Sequence, residues 1–258
     1  MITGGIDVGS LSSEAVLLKG GEILSYSIID TGADARKAAE QVYQAALERA
    51  GLESSEVDAV VATGYGRLVV PFAAKQVTEI SCHARGAFFL FPEVRTVIDI
   101  GGQDSKVIRI DGRGNVVDFM MNDKCAAGTG RFLEVIARAL ELSVAELGME
   151  GEKATRVAEI SSMCTVFAES EVVSLIAQGV PRPEIVRGLH QAIAERTAGL
   201  AQRLGVVPQV VMTGGVAKNS GVVAALSQSL GVKVLVPQEP QIVGALGAAL
   251  LAQKVVQS

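Results

Sequence analysis

The chain has 258 residues, 49% of them hydrophobic and 20% charged, enough for one large or two modest domains with proper cores; this excludes a disordered chain. Formal net charge is −5 with no basic run, which excludes a nucleic-acid partner bound through its phosphate backbone. Apolar runs such as Ala245 to Ala252 are far shorter than the roughly 20 residues of a membrane span, Met1-Ile2-Thr3 leads straight into a strand pattern, and three cysteines make no secreted disulfide framework, so a cytoplasmic protein without membrane contact is expected.

Ile2 to Val8 is a short β pattern that breaks into a turn holding Gly9, Ser10, Leu11, Ser12 and Ser13. A strand from Glu14 to Lys19, a Gly20-Gly21 turn and a strand from Glu22 to Asp30 follow. Backbone amides and serine hydroxyls in the first turn suit phosphate oxygens, and the Asp7 carboxylate suits a hydrated magnesium ion. Next come a helix from Ala33 to Ala50, ended by Gly51, and a buried strand from Val57 to Thr63 that finishes at Gly64-Tyr65-Gly66-Arg67. The helical stretch Ile80 to Phe89 carries Cys82 and His83 side by side. Adjacent helical residues point about 100° apart, poor geometry for one metal, so packing and interface contacts are expected of both.

Val97 to Ile108 then restates the opening hairpin at a constant offset of 92: Asp7 aligns with Asp99, Gly9 with Gly101, Ser13 with Ser105 and Gly20 with Gly112. Two such copies imply two similar subdomains whose turns face each other across a cleft and grip a polyphosphate from both sides.

Two cysteine segments follow. Asn122 to Leu133 sets Cys125 on a glycine-rich turn ahead of an apolar helix from Phe132 to Leu142. Ser161 to Glu171 sets Cys164 ahead of another helix, with Thr165 as its cap and acidic residues in its first turns. Helix N-termini carry unpaired amides and a positive dipole end, which favour a thiolate or an anionic metal cluster. With no Cys-x-x-Cys, spacing alone equally allows two core cysteines. If they bind an iron–sulfur cluster, two ligands per chain call for a symmetric dimer.

A long helix from Arg182 to Leu204 leads into the buried strand Gln209 to Met212, which breaks at Thr213-Gly214-Gly215-Val216-Ala217, a double-glycine turn that a flat ring can approach. A helix from about Ser220 to Leu230, a strand from Lys233 to Val236 and a terminal helix from Gln241 to Val255 complete an α/β pattern. Neither a P-loop signature nor a Gly-x-Gly-x-x-Gly after a strand is present.

The first hairpin, its repeat and Thr213 to Ala217 resemble the two phosphate loops and the adenosine loop of the acetate/sugar kinase, Hsp70 and actin superfamily. Ser81 to Ala87, Asp99 to Lys106, Asn122 to Gly130 and Pro240 to Ala245 resemble the ATP-dependent activators of 2-hydroxyacyl-CoA dehydratases, of the BadF/BadG/BcrA/BcrD type, relatives of the ATPase subunits of benzoyl-CoA reductase.

That resemblance implies an α/β fold of two ribonuclease-H-like subdomains with an ATP cleft between them, residues 1–95 and 96–258, the C-terminal helix being free to return to the first. It implies a homodimer with one 4Fe-4S cluster held by Cys125 and Cys164 of each chain, fed by a ferredoxin or flavodoxin and delivering electrons to a partner dehydratase or reductase on ATP hydrolysis. Asp7, Asp99 and Gln103 become catalytic, the aspartates acting on Mg²⁺. ATP or ADP contacts fall to Gly9, Ser10, Leu11, Ser12, Ser13, Gly101, Gly102, Gln103, Lys106, Gly214, Gly215, Val216, Ala217 and Gln241. One residue departs from the pattern. Most relatives in this branch carry lysine in the first loop, as in Gly-Ser-Thr-x-x-Lys, where this chain has Glu14; Lys106, at the equivalent place in the repeat, is the candidate replacement cation. The competing readings are a small-molecule kinase of amino-sugar type, which would need a catalytic aspartate beside a sugar pocket and give Cys125 no role, and a non-enzymatic nucleotide-dependent scaffold.

Overall fold

Two five-stranded sheets of one design organise the chain, seen in a computed structural model that describes residues 1–123, 125–160 and 164–257. The first is built from β1 (Ile2–Val8), β2 (Ser12–Lys19), β3 (Glu22–Asp30), β4 (Ala59–Thr63) and β5 (Lys75–Gln76), with α1 (Ala35–Ala50) between β3 and β4 and α2 (Glu79–Leu90) after β5. β6 (Thr96–Ile100), β7 (Ser105–Ile110) and β8 (Val116–Asn122) begin the second, followed by α3 (Gly130–Ala139), α4 (Val144–Glu152), α5 (Thr165–Ala177) and α6 (Arg182–Leu204). β9 (Val210–Thr213), α7 (Ser220–Leu230), β10 (Val234–Leu235) and α8 (Val243–Gln257) complete the chain.

Strand order is β3-β2-β1-β4-β5 in the first sheet and β10-β9-β6-β7-β8 in the second, so β1 and β6 hold the same central position. Each pairs antiparallel with the next strand and parallel with a later one, β4 or β9. Helices cover both faces of β6, with Ile98 and Ile100 packed among residues of α3 and α6 and Val97 against Ala84 and Ala87 of α2, which accounts for the near-continuous apolar run Val97-Ile98-Asp99-Ile100. The repeat in the sequence is therefore a repeat of the fold.

Local chemistry sets several boundaries. Asp34 caps α1 by accepting from the Lys37 amide, and Gly51 closes it at φ 65°, where a side chain would be strained. α3 ends at Ala139, before the expected Leu142, because Glu141 turns to φ 56° and the Leu142 amide reaches back to the Ala137 carbonyl. α4, which the sequence pattern did not announce, starts with a capping box in which Ser143 and Glu146 satisfy each other's amides. α5 starts at Thr165, so Cys164 occupies the cap position assigned to Thr165, and Glu169 and Glu171 fall beyond the first turn. Lys124 and the stretch 161–163 of the two cysteine segments lie outside the described residues.

α8 packs on β1, β2 and β4 and along α2. Glycine permits that approach: a β-carbon on Gly5 would overlap the Ala245 carbonyl, and one on Gly247 would overlap the Cys82 carbonyl. The second sheet packs one face against α2 and buries the other against α3, α6 and α7 through Leu133, Ile136, Leu189, Ile193 and Leu226.

Candidate functional site

Equivalent strand ends converge on one cleft of about 740 Å³. Asp7 at the end of β1 and Asp99 near the end of β6 both line it, each almost fully buried. Gly9, Ser10, Leu11 and Ser12 come from the first turn, Gly101, Gly102 and Gln103 from the second. The turns touch, since a β-carbon on Gly102 would strike Leu11 and lie 2.8 Å from Ser10 Oγ. Gly214, Gly215 and Val216 line the wall after β9, and Gln241 lies beside them, with the Gly214 amide donating to the Pro240 carbonyl at 3.0 Å. Two of the expected contacts lie off this lining: Ser13 is buried with its hydroxyl 2.8 Å from Thr31 Oγ1, and Ala217 is buried behind the turn.

The repeat extends further than the hairpins. Asp7 is in register with Thr63 of β4, and Asp99 with Thr213 of β9. Gly64 and Gly214 follow at φ 84° and 85°, and a β-carbon on either would meet the carboxylate of the neighbouring aspartate. Thr-Gly after a parallel strand is thus a second repeated device, and the matched pairs Thr63-Gly64 and Thr213-Gly214 were the signal for it.

His83 and Glu79 also line the cleft, both on α2. His83 is wedged between the subdomains: Nδ1 lies 3.0 Å from Thr213 Oγ1 and 3.4 Å from Asp99 Oδ1, and Nε2 lies 3.8 Å from Asp7 Oδ2. The packing role expected of His83 is therefore replaced by a position between both aspartates, while its neighbour Cys82 is fully buried against α8, its thiol pushed up to about 12 by burial. Adjacency in sequence hides this position of His83, because only the fold brings Asp7 and Asp99, 92 residues apart, to the same ring.

Charge is distributed unequally between the copies. Across the antiparallel pairs, Asp7 faces Glu14 and Asp99 faces Lys106. Lys106 Nζ sits 3.2 Å from Asp99 Oδ2, 2.7 Å from Asp104 Oδ1 and 3.5 Å from Glu79 Oε1. Burial alone would raise Asp99, yet His83, Lys106 and the Thr213 hydroxyl together hold its carboxyl below the usual range. Asp7 is raised well above that range by burial first, then by the charges of Glu14, Glu79 and Asp99. Burial pushes Glu14 up to about 7, against hydrogen bonds from Ser12 and Gln241 that favour its charged form. The expected cation of the second loop is present, already paired with three carboxylates of the same cleft.

The second turn is hydrogen-bonded to the end of the cysteine segment. Gly130 and Arg131 amides, at the start of α3, donate to the Gly101 and Gly102 carbonyls at 2.9 and 2.8 Å. Thr129 ties the loop before α3 by donating to the Ala126 carbonyl at 2.6 Å, and Asn122 donates to the Cys125 carbonyl at 2.9 Å. Cys125 is partly exposed in that loop and Cys164 is exposed at the start of α5; α3 and α5 pack together. Neither cysteine lines the cleft. Among the described residues no group of three or more histidine, cysteine or acidic side chains is placed to hold a metal ion within one chain, and no helix is long and apolar enough to cross a membrane.

Known proteins share this fold. The chain is 52% identical over 258 residues to the activator of lactoyl-CoA dehydratase of Anaerotignum propionicum, covering 100% of this chain and 99% of that one. The crystal structure of component A of (R)-2-hydroxyglutaryl-CoA dehydratase from Acidaminococcus fermentans superposes with a TM-score of 0.97 at 48% identity, over the whole of both chains. The activator of 2-hydroxyisocaproyl-CoA dehydratase from Clostridium difficile, solved with bound ADPNP, gives 0.95 at 46% identity, covering 100% of this chain and 96% of that one. These matches give the cleft the fold shared by actin-like ATPases and sugar kinases. A profile of the BadF/BadG/BcrA/BcrD ATPase family spans residues 5–252, and the chain belongs to that family of ATPases.

Proposed function

We propose that this ATPase is a homodimeric reductive activator that couples ATP hydrolysis to low-potential electron transfer into a partner 2-hydroxyacyl-CoA dehydratase or a related reductase. The observation that carries the reading is the pair of hydrogen bonds from Gly130 and Arg131 to the Gly101 and Gly102 carbonyls. A turn that faces the phosphates and the segment that carries Cys125 are thereby one backbone unit, so movement of the turn is passed to the cysteine.

The division at residues 95 and 96, with α8 returned to the first sheet, belongs to this reading. Nucleotide phosphates lie between the Gly9–Ser12 and Gly101–Gln103 turns, with the base near Gly214, Gly215 and Gln241. Asp7 and Asp99 hold Mg²⁺ directly or through its waters, and the ion supplies neutralisation of the phosphate charge when bound. Gln103, on the second turn, positions the attacking water. His83 keeps the two carboxylates apart and oriented.

The donor set fits a 4Fe-4S cluster shared by two chains: Cys125 and Cys164 are accessible thiols on packed segments, whereas Cys82 is sealed in the core. Such a cluster supplies one-electron transfer. Val166, Phe167, Val173 and Ile176 leave an exposed apolar face on α5 beside Cys164, which supports a second copy of the chain as the other half of the site. A ferredoxin or flavodoxin is the electron donor in this scheme.

Chelator accessibility tests the coupling. With anaerobically purified protein, removal of iron by a chelator should change at least several-fold in rate between the Mg·ADP and Mg·ADPNP forms; equal rates in iron-loaded protein that binds both nucleotides would refute it.

A further inference from the structure

Glu14 is buried in the cleft wall, with its carboxylate committed to two groups of the site. Ser12 Oγ donates to Glu14 Oε1 at 2.6 Å. Gln241 Nε2 donates to Ser12 Oγ at 2.8 Å and to Glu14 Oε1 at 3.2 Å. Ser12 belongs to the first turn, whose Gly9 amide donates to the Ser12 carbonyl at 2.9 Å, and Gln241 belongs to the segment hydrogen-bonded to the Gly214 turn. The three side chains therefore close a network between the first phosphate-facing turn and the base-side wall. We propose that Glu14 is a positioning residue that holds the Ser12 hydroxyl and the Gln241 carboxamide in this closed network and so lowers the affinity of the cleft for nucleotide phosphates.

Two physical arguments carry the direction. A hydroxyl has one proton to give, and Ser12 gives it to the carboxylate, so a phosphate oxygen gains it only by displacing Glu14. The Glu14 charge also adds to Asp7, Glu79, Asp99 and Asp104 in one cleft; Lys106 is buried and already paired with three of these carboxylates, and the more exposed lining cations Lys218 and Arg131 are paired with Glu239 and Glu134, so an arriving polyanion meets repulsion that a neutral side chain would not exert. Burial raises Glu14 to about 7, so the carboxylate is held at a cost the fold would avoid with a neutral residue. The consequence is a site whose nucleotide exchanges readily and whose binding leans on the divalent ion.

This inference rests on the nucleotide reading of the cleft. Its test is calorimetry at pH 8 on the intact, anaerobically purified protein with Mg·ADP and with ADP in EDTA, for wild type, Glu14→Gln and Glu14→Ala. Both variants should bind Mg·ADP about tenfold more tightly, the effect of one unit charge removed at roughly 10 Å with an effective dielectric near 20, and the gain should be larger for metal-free ADP, which carries more charge. Loss of a merely structural contact would weaken binding or leave it unchanged. Wild-type protein that binds Mg·ADP while neither variant binds it more tightly overturns the inference alone. Wild-type protein that fails to bind Mg·ADP overturns the nucleotide reading and this inference with it.

Discussion

Lys106 donates to Asp99 across one strand pair at 3.2 Å, while the equivalent place beside Asp7 is held by Glu14. The two halves of a duplicated cleft thus carry opposite charge next to matched aspartates: burial first, then Glu14, raises Asp7, whereas His83 and then Lys106 lower Asp99 against its burial.

Lys106→Met tests how far the fold depends on that pairing. The substitution leaves Asp99, Asp104 and Glu79 facing one another without their shared cation, all in or beside the buried cleft. Stripping one partner from a buried ion pair costs about 3–5 kcal/mol, and that loss is expected in urea unfolding. A loss under about 1 kcal/mol, the range of exposed pairs, would refute the placement.

Glu14 gives the stability curve a defined slope. Its folded pKa of about 7 stands above the ordinary glutamate value of 4.5, so the native state binds more protons than the unfolded chain between those values. Stability from this group is therefore full at low pH and lost as pH rises from about 4.5 to 7. Glu14→Gln removes the slope: relative to wild type, the variant should gain about 2–3 kcal/mol between pH 4 and pH 8. A pH-independent difference between the two proteins would contradict the burial of this carboxylate.

Gly244 and Gly199 make a matched pair of glycine tests. A β-carbon at Gly244 would overlap Asp7 Oδ2 and stand 3.0 Å from His83 Nε2, whereas one at Gly199, inside α6, meets nothing within 4 Å. Gly244→Ala should destabilise by about 1–3 kcal/mol through overpacking and weaken Mg·ADP binding by displacing the Asp7 carboxylate. Gly199→Ala should stabilise by about 0.5–1 kcal/mol and leave nucleotide affinity alone. Equal thermal shifts of one sign in the two variants would show that the α8 contact is not as tight as described.

Much of this was legible in the sequence because the duplication is exact in spacing. The offset that relates Asp7 to Asp99 also relates their strands, and turn glycines need no tertiary partner to be recognised. The roles of His83, Glu79 and Gly244 were not legible, since each depends on which elements meet across the cleft, and helical or strand periodicity carries no such information. α4 escaped for a different reason: its short, glycine-containing sequence Val144 to Glu152 has only a capping box to announce it. Glu14 stood out by type, but its tie to Gln241 joins positions 227 residues apart and became visible only in the fold.

The cysteines carry the prediction that decides most about mechanism. Each chain offers Cys125 and Cys164 at accessible loop and helix-start positions, and Cys82 in a sealed contact with α8. Four-iron clusters are held by four thiolates, so one cluster per two chains is expected, at about four irons per dimer. Cys125→Ser and Cys164→Ser should each abolish it, because a hydroxyl is a harder and far more basic ligand than a thiolate, whereas Cys82→Ser should retain it. Air exposure should bleach the protein and loosen or dissociate the dimer as the bridging ligand bonds are lost. A dimer joined by apolar packing alone would keep its mass through the same treatment, with the exposed α5 face around Phe167 as the obvious seam. Anaerobic light scattering before and after air, read with iron per chain and Mössbauer spectra, separates the two. Four irons in each monomer, or equal iron in the Cys125 and Cys82 variants, would end the shared-cluster assignment, because either result removes the need for a second chain's thiolates.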